Sequence, residues 1–322
     1  MKKFILKIVV FAIPILLLAY GLDVYLSNNL RKSNTFAHLE YPIWNDVLEG
    51  NLNADILIHG SSRAWVHFDP KILEDVLQLT AYNLGVDGHT FNMQYLRHKL
   101  ALKYNDKPQM IIHSVDATTL QKGDFFNSEQ ILPYMLWEKD FQEFTSEYES
   151  YSYFDYNLPL LRYYSQTEAI STAFKMNMSS NNNPQIRVKG YQGQERTWNS
   201  DFDKAKKLMK GFEVKIDETL KMKFDRYLKD CKANNIEVVL VYAPLYSEGK
   251  AFIKNEEVLI NTYQKFAETY GFAFFDFTND DICNDKAYFY NARHMNKLGA
   301  ELFTKKLATK IKTEINIDSI KN

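Results

Sequence analysis

Cysteine is almost absent from this chain: Cys231 and Cys283 stand far apart, with no C-x-x-C pair and no Cys/His cluster at zinc-ligand spacing. A metal site therefore has little support in the sequence, and at most one disulfide can form. A surplus of positive charge is lacking as well. Lys+Arg number 39 against Asp+Glu 40, a net charge of -1, so the charge balance does not recommend nucleic acid as a partner. No internal repeat is visible, and a run such as "KAKKLMK" reads as a solvated helix face. What remains is 322 residues, 46% hydrophobic and 25% charged, enough for one large globular domain with a substantial core.

The N-terminus carries a long apolar run. After the basic start "MKKFILK", residues Ile8 to Leu22 hold no charge, and the run extends back to Phe4 if Lys7 snorkels toward lipid headgroups. Nothing polar alternates along Ile8 to Tyr20 to give the amphipathic face of a buried core helix. No small-x-small cleavage site follows; the run leads into "DVYLSNNLRKS", so residues 1–33 read as a retained signal anchor and stalk, with a cleaved signal peptide as the lesser alternative. Lys2, Lys3 and Lys7 favour a cytoplasmic N-terminus against the weaker opposing bias of Arg31 and Lys32. The domain over 34–322 is then expected outside the cytoplasm, periplasmic or at the cell surface.

From about residue 50, short apolar runs alternate with stretches of helical period, the pattern of an α/β fold around a mostly parallel sheet. "ADILIHG" is the first strand, and "DPKILEDVLQ" follows as a helix with Asp69 as N-cap and Pro70 at its first position. "AYNLG" is a short second strand, Thr90 to Tyr104 a helix with Met93, Leu96, Leu100 and Leu102 toward the core, and "QMIIHSV" a third strand. From about 120 to 200 the rhythm breaks into an insertion over the sheet, dense in aromatics that include Phe125, Phe126, Tyr134, Trp137, Phe141 and Tyr156. It reads as a lid or a membrane-proximal packing layer, with Trp137 and exposed tyrosines stacking on sugar rings as the alternative. Its end, "MSSNNNPQIRVKGYQGQ", is polar and turn-rich, the composition of a mobile loop. The rhythm resumes with a helical stretch from Phe202 to Asn234, interrupted at Gly211, then strand "IEVVLVYAP", a helix over Asn255 to Tyr270, strand "FAFFDF" and a last helix from Asn296, its cap, to Ile311.

In a parallel α/β sheet the ligand crevice lies beyond the carboxyl ends of the strands. The loops expected there are "HGSSR", "GVDGHT", "SVDATT" and "FYNARHMNKLGA". A serine of "GSSR" after the first strand and His294 before the last helix are candidates for a nucleophile and a base, the pairing that acyl transfer requires because a serine hydroxyl attacks poorly until its proton is taken. His59 and His113 read as packed strand-end residues. Taken in order, these blocks resemble the SGNH/GDSL hydrolase superfamily over residues 53–118 and 235–312. The resemblance implies a flavodoxin-like three-layer α/β/α sandwich with Ser62 of "GSSR" as nucleophile, Gly60 in the tight turn and His294 of "NARHMNKLGA" as base. It places the oxyanion-hole glycine on Gly88 of "NLGVDGHT", beside the Ser62 N–H, with Gly85 as the alternative. Arg63 stands either as a contact to an anionic or carbohydrate substrate or as a surface salt bridge. Asp87 and His89 flank Gly88 at the mouth of the site.

Two positions depart from the superfamily's pattern. Its third block usually carries an asparagine that donates to the oxyanion; "HSVDATT" has none, leaving either the Thr118 hydroxyl as donor or another role for Asp116. The triad aspartate is expected three residues before the histidine, where Asn291 stands. An asparagine oxygen can orient imidazole but cannot offset its charge, and in a serine-protease triad that change lowers turnover by about ten-thousand-fold, chiefly through the wrong tautomer. Either the enzyme is slow, or another carboxylate such as Asp285 or Asp276 reaches His294, or the site is silent. The expected function is a membrane-anchored, extracytoplasmic serine ester hydrolase or O-acyltransferase acting on acyl groups of an envelope or exported polysaccharide, needing no metal or organic cofactor. Similarity to the alginate acetylation proteins and to the anchored protein of teichoic acid D-alanylation implies a membrane-bound O-acyltransferase as partner. The alternative is a catalytically inactive SGNH-like module that binds a glycan or that acyltransferase.

Overall fold

The structure, a computed structural model, describes residues 1–123, 127–146, 148, 151–178 and 187–317. Phe125 and Phe126 of the aromatic segment, and "SSNNNPQI" of the polar loop, lie outside the described residues. The chain divides into two compact units, one of residues 1–45 with 126–186, the other of 46–125 with 187–322. The aromatic insertion thus clusters with the N-terminal segment, and its limits fall inside the expected 120 and 200.

The second unit is built on five strands, all parallel: β1 (Ile56–Gly60), β2 (Ala81–Asn83), β3 (Met110–Val115), β4 (Glu237–Tyr242) and β5 (Ala273–Asp276), in the order β2-β1-β3-β4-β5. Every residue of β1 and β3 is buried, which is why both read as continuous rather than alternating apolar runs. The chain passes from β1 to β2 on one side, then crosses back to β3 on the other, with Gly60 in register with Ser114. The order reverses between β1 and β3, which opens a crevice at their carboxyl ends.

Most helices fall where the period placed them. Asp69 Oδ1 accepts the Lys71 N–H at 2.9 Å, and Asn296 Oδ1 accepts the Gly299 N–H at 3.0 Å to cap the final helix, Lys297–Glu314. The expected helix over 202–234 is two helices, Asp201–Leu208 and Glu218–Ala233. Gly211, between them, has φ +107°, and a Cβ there would meet the Phe252 carbonyl at 2.8 Å, so the chain turns where only glycine fits. Leu102 is half-buried rather than core. The polar loop is anchored where it is described: Asn83 N–H donates to Lys189 O at 2.9 Å, and Gly190 abuts Asn83 so closely that a Cβ would clash. Both cysteines are buried free thiols.

In the first unit, helix Lys2–Leu30 is long and apolar enough to cross a membrane. Its large apolar side chains are exposed from Phe4 to Leu18, while Asp23, Leu26, Ser27 and Leu30 near its end are buried. Asp23 is held by Arg162, whose guanidinium donates to both carboxylate oxygens at 2.7 and 2.8 Å, and whose Nε–H donates to Leu132 O at 2.7 Å. Trp137 is exposed and stacks one face of its indole on Tyr20 at 5.3 Å between ring centroids. Removing one partner of a buried bidentate pair leaves the other charge uncompensated. Arg162→Ala is therefore expected to destabilise this unit by ~3–5 kcal/mol, read as earlier thermal unfolding and faster proteolysis within 151–178.

Candidate active site

The end of β1 fixes the serines. Gly60 has φ +142°, and a Cβ there would meet Ser114 O at 2.7 Å and Ala64 Cβ at 2.9 Å. Ser61 then caps the short helix Ser62–His67 by accepting the Arg63 N–H at 3.3 Å, and its hydroxyl donates to Asp116 Oδ2 at 2.7 Å. Its proton is committed to a carboxylate. Ser62 is half-buried, and its Oγ lies 2.9 Å from His294 Nε2, the contact expected between nucleophile and base.

His294 opens the short strand His294–Met295, paired antiparallel with Phe289–Asn291, a hairpin that the sequence reading did not separate from its loop. Asn291 Oδ1 accepts the backbone N–H groups of Arg293 and His294, each at 2.9 Å, and lies 3.1 Å from His294 Nδ1. Two backbone donors on one atom require that atom to be the amide oxygen. Nδ1 must then carry the ring proton, and Nε2 is left bare toward the Ser62 hydroxyl. The tautomer is the productive one despite the missing carboxylate. Asp285 and Asp276 do not replace it: each accepts a local backbone N–H, from Ala287 and Thr278 respectively, at 2.8 Å.

Charge around the ring is net positive. Burial, then the Arg293 and Arg63 guanidinium groups, bring His294 down to about 3, with Asp116 pulling the other way. Burial pushes the Asp116 carboxyl up, but Arg63 and Arg293, with the Ser61 and Thr118 hydroxyls, outweigh it and hold the group below the usual carboxylate value. Tyr290 stacks on His294 with 5.4 Å between ring centroids.

Two expected contacts, those of Arg63 and Thr118, are corrected. Arg63 is neither at the surface nor facing the crevice: it is 1% exposed and donates to the carbonyls of Ala243 and Pro244 at 2.7 and 2.9 Å. Helix Ser62–His67 turns that position inward, toward the end of β4. Thr118 is unsuited to donate to an oxyanion because its hydroxyl and its N–H both go to Asp116 Oδ1, at 2.8 and 2.7 Å. Its hydroxyl oxygen instead accepts from Arg293 Nη2 at 3.3 Å. Asp87 is half-buried and accepts the Trp65 indole N–H at 3.1 Å, which gives it a structural partner.

Gly88 is exposed with φ +71°, and among the described residues its N–H has no partner. The Ser62 N–H, in the first turn of its helix, has none there either. Gly85, the alternative donor, is excluded because its N–H goes to Asn83 Oδ1 at 2.9 Å. Asn83 Nδ2 also donates to Ala64 O and Phe68 O, both at 2.8 Å, and so ties the second block to the helix that begins at Ser62. A Cβ on Gly85 would meet Trp65 N at 2.5 Å. Gly85→Ala is expected to cost ~1–3 kcal/mol and to shift that helix, lowering Ser62 reactivity along with the midpoint of thermal unfolding.

The sequence reading missed Asn83 and Arg293. The "N" of "NLG" and the "R" preceding His294 were the available signals. His59 and His113 are buried as expected; His113 lies 3.1 Å from the Tyr227 hydroxyl and 3.2 Å from Gln94 Oε1. Compared with known proteins, the sequence matches no family model and no curated protein. The resemblance to the SGNH superfamily accordingly rests on the sequence blocks alone.

Proposed function

We propose that this chain is a membrane-anchored, extracytoplasmic serine ester hydrolase or O-acyltransferase of SGNH type, with its sheet in a flavodoxin-like sandwich. The observation that carries this reading is the 2.9 Å contact between Ser62 Oγ and the bare Nε2 of His294. The sheet order supports the fold, since 2-1-3-4-5 is the order of flavodoxin-like sheets, with the ligand at the point where it reverses. The apolar N-terminal helix supports the anchor.

In the mechanism, Ser62 Oγ attacks the acyl carbonyl carbon as its proton passes to His294 Nε2, and the carbonyl oxygen takes up negative charge beside the N–H groups of Ser62 and Gly88. Collapse breaks the bond to the leaving oxygen, which takes the proton back from His294. Water or a sugar hydroxyl then attacks the acyl-serine, giving its proton to Nε2, and Ser62 leaves with that proton restored. Asn291 holds the Nδ1–H throughout. Arg293, exposed and hydrogen-bonded to Thr118, supplies the contact to an anionic glycan that the sequence reading gave to Arg63. The substrate in this reading is an acylated envelope or exported polysaccharide, and a membrane-bound O-acyltransferase is the partner.

Asn291 in the place of a carboxylate favours a second reading, a catalytically inactive module that binds a glycan or the acyltransferase. The Ser62–His294 contact counts against it. The test is turnover of p-nitrophenyl acetate by the full chain in lipid nanodiscs beside Ser62→Ala. Turnover that the substitution abolishes supports the enzyme; a folded native chain no faster than the variant supports the binding module.

A further inference from the structure

Beside the catalytic pair runs a groove of about 410 Å³, lined by His294, Arg293 and Asp201 and otherwise chiefly by Phe202, Ala205, Met209, Phe212, Phe252 and Ile253. Its size is that of a small-ligand site, typically ~300–1,000 Å³. The walls are built rather than incidental. Phe252 packs on Phe202 and Phe212 at 5.4 and 6.1 Å between ring centroids, and the Phe212 N–H donates to Phe252 O at 3.0 Å while Lys254 N–H donates back to Phe212 O at 2.9 Å. Gly249 joins the groove to the histidine loop: a Cβ there would meet the Ala292 Cβ and carbonyl at 2.8 Å.

Besides the histidine loop, the one polar side chain of the lining is Asp201, whose carboxylate already accepts from Asn199 Nδ2 at 2.7 Å, so a sugar ring seated along the phenylalanines and Met209 would bury most of its hydroxyls unpaired. A hydrocarbon chain would lose nothing. We propose that the ester handled at this site carries an unbranched hydrocarbon chain, seated in the groove with its polar end at His294. The proposal rests on the reading of Ser62 and His294 as a catalytic pair and adds a substrate class to it. With a polysaccharide as the alcohol half, the chain is the acyl half of the ester; a chain found in the alcohol half would keep the groove and the catalytic pair but replace the polysaccharide by a lipid alcohol.

The full chain in lipid nanodiscs would be assayed on p-nitrophenyl acetate, butyrate and hexanoate in one arm, and on methyl, butyl and hexyl acetate in the other. In the arm that fills the groove, kcat/KM is expected to rise about fourfold per methylene, the equivalent of ~0.8 kcal/mol each. Ala205→Phe, which obstructs the groove, is expected to collapse the ratio of longest to shortest ester, and Met209→Gln at the exposed rim to reduce it if the first variant misfolds. A flat profile in both arms from an active protein overturns the proposal and leaves the catalytic pair standing. A readout independent of turnover is crosslinking by a fatty acid with a terminal diazirine, mapped by mass spectrometry in the native chain and in Ser62→Ala. Adducts in 202–212 or 249–253 that Ala205→Phe removes support the groove even if no ester is hydrolysed, in which case the esterase reading alone falls. Absence of adducts there overturns the groove.

Discussion

Replacing His294 by alanine is expected to slow the reaction of Ser62 with a fluorophosphonate by about 10³-fold, the scale of a lost general base. Asn291→Asp is expected to speed it, by ~10- to 100-fold and not by the ten-thousand-fold that an aspartate restores in a triad locked in the wrong tautomer. The difference lies in the backbone: the N–H groups of Arg293 and His294 already hold the Asn291 oxygen toward Nδ1, so the substitution adds charge and leaves orientation unchanged. The pH profile separates the two effects. With His294 at about 3, its neutral form is complete well below neutrality, and labelling of the native chain has no acid limb near the ordinary histidine value of 6.5. A carboxylate at 291 would raise the imidazole, so Asn291→Asp gains that limb, losing reactivity as pH falls through the new, higher value. A native profile that already falls near ~6.5 would contradict the account of burial and guanidinium charge around the ring.

Acid is expected to unfold this protein early. His59, His98 and His113 are buried together, with 5.2 Å between the rings of His59 and His98 and 6.0 Å between those of His59 and His113. Burial brings His98 and His113 each to about 3 and takes His59 well below the ordinary 6.5. The folded values lie beneath the unfolded one, so between 6.5 and about 3 the unfolded chain binds protons that the folded chain refuses. The histidine contribution is complete above 6.5 and falls as pH drops, by up to ~1.4 kcal/mol per pH unit for each histidine. Asp116, held below its unfolded value of 3.8, stabilises above that pH and adds to the loss only below it. His67 and His294 are lowered in the same direction, while burial raises Glu256 to about 7, so that between 7 and its unfolded 4.5 it offsets one of the five. Against a typical total of ~5–15 kcal/mol, the balance would still remove most of the stability by about pH 4. Urea unfolding followed by circular dichroism from pH 7.5 to 4.5 should show this slope, and His98→Gln should flatten it by about a quarter, one of five lowered histidines against the one opposing Glu256. Midpoints unchanged between pH 7 and 5 would contradict it.

What the sequence made legible was local. The runs "ILIHG" and "MIIHSV" signal buried strands by composition, and the glycine that ends the first marks where the chain must turn into a serine pair, of which the superfamily resemblance singled out Ser62. His294 followed from its position just ahead of a capped helix. Side-chain direction was not local. Arg63 follows Ser62 directly, yet its guanidinium goes inward because the carbonyls of Ala243 and Pro244 wait at the end of a strand distant in sequence. Thr118 sits in the expected loop, but Asp116 two residues earlier takes its donors. The significance of Asn291 depended on which way its amide faces, and only the turn through Arg293 decides that. The groove was invisible because its walls come from two segments, 202–212 and 249–253, joined through Phe212 and Phe252. The Asp23–Arg162 pair likewise links residues 139 apart.

The measurement that bears most directly on the central claim is the site of fluorophosphonate attachment in the folded full chain, located by mass spectrometry beside Ser61→Ala and Ser62→Ala. An activated Ser62 predicts one adduct on that residue, retained in Ser61→Ala and lost in Ser62→Ala. No adduct in the folded native chain, or an adduct that survives Ser62→Ala, would contradict it.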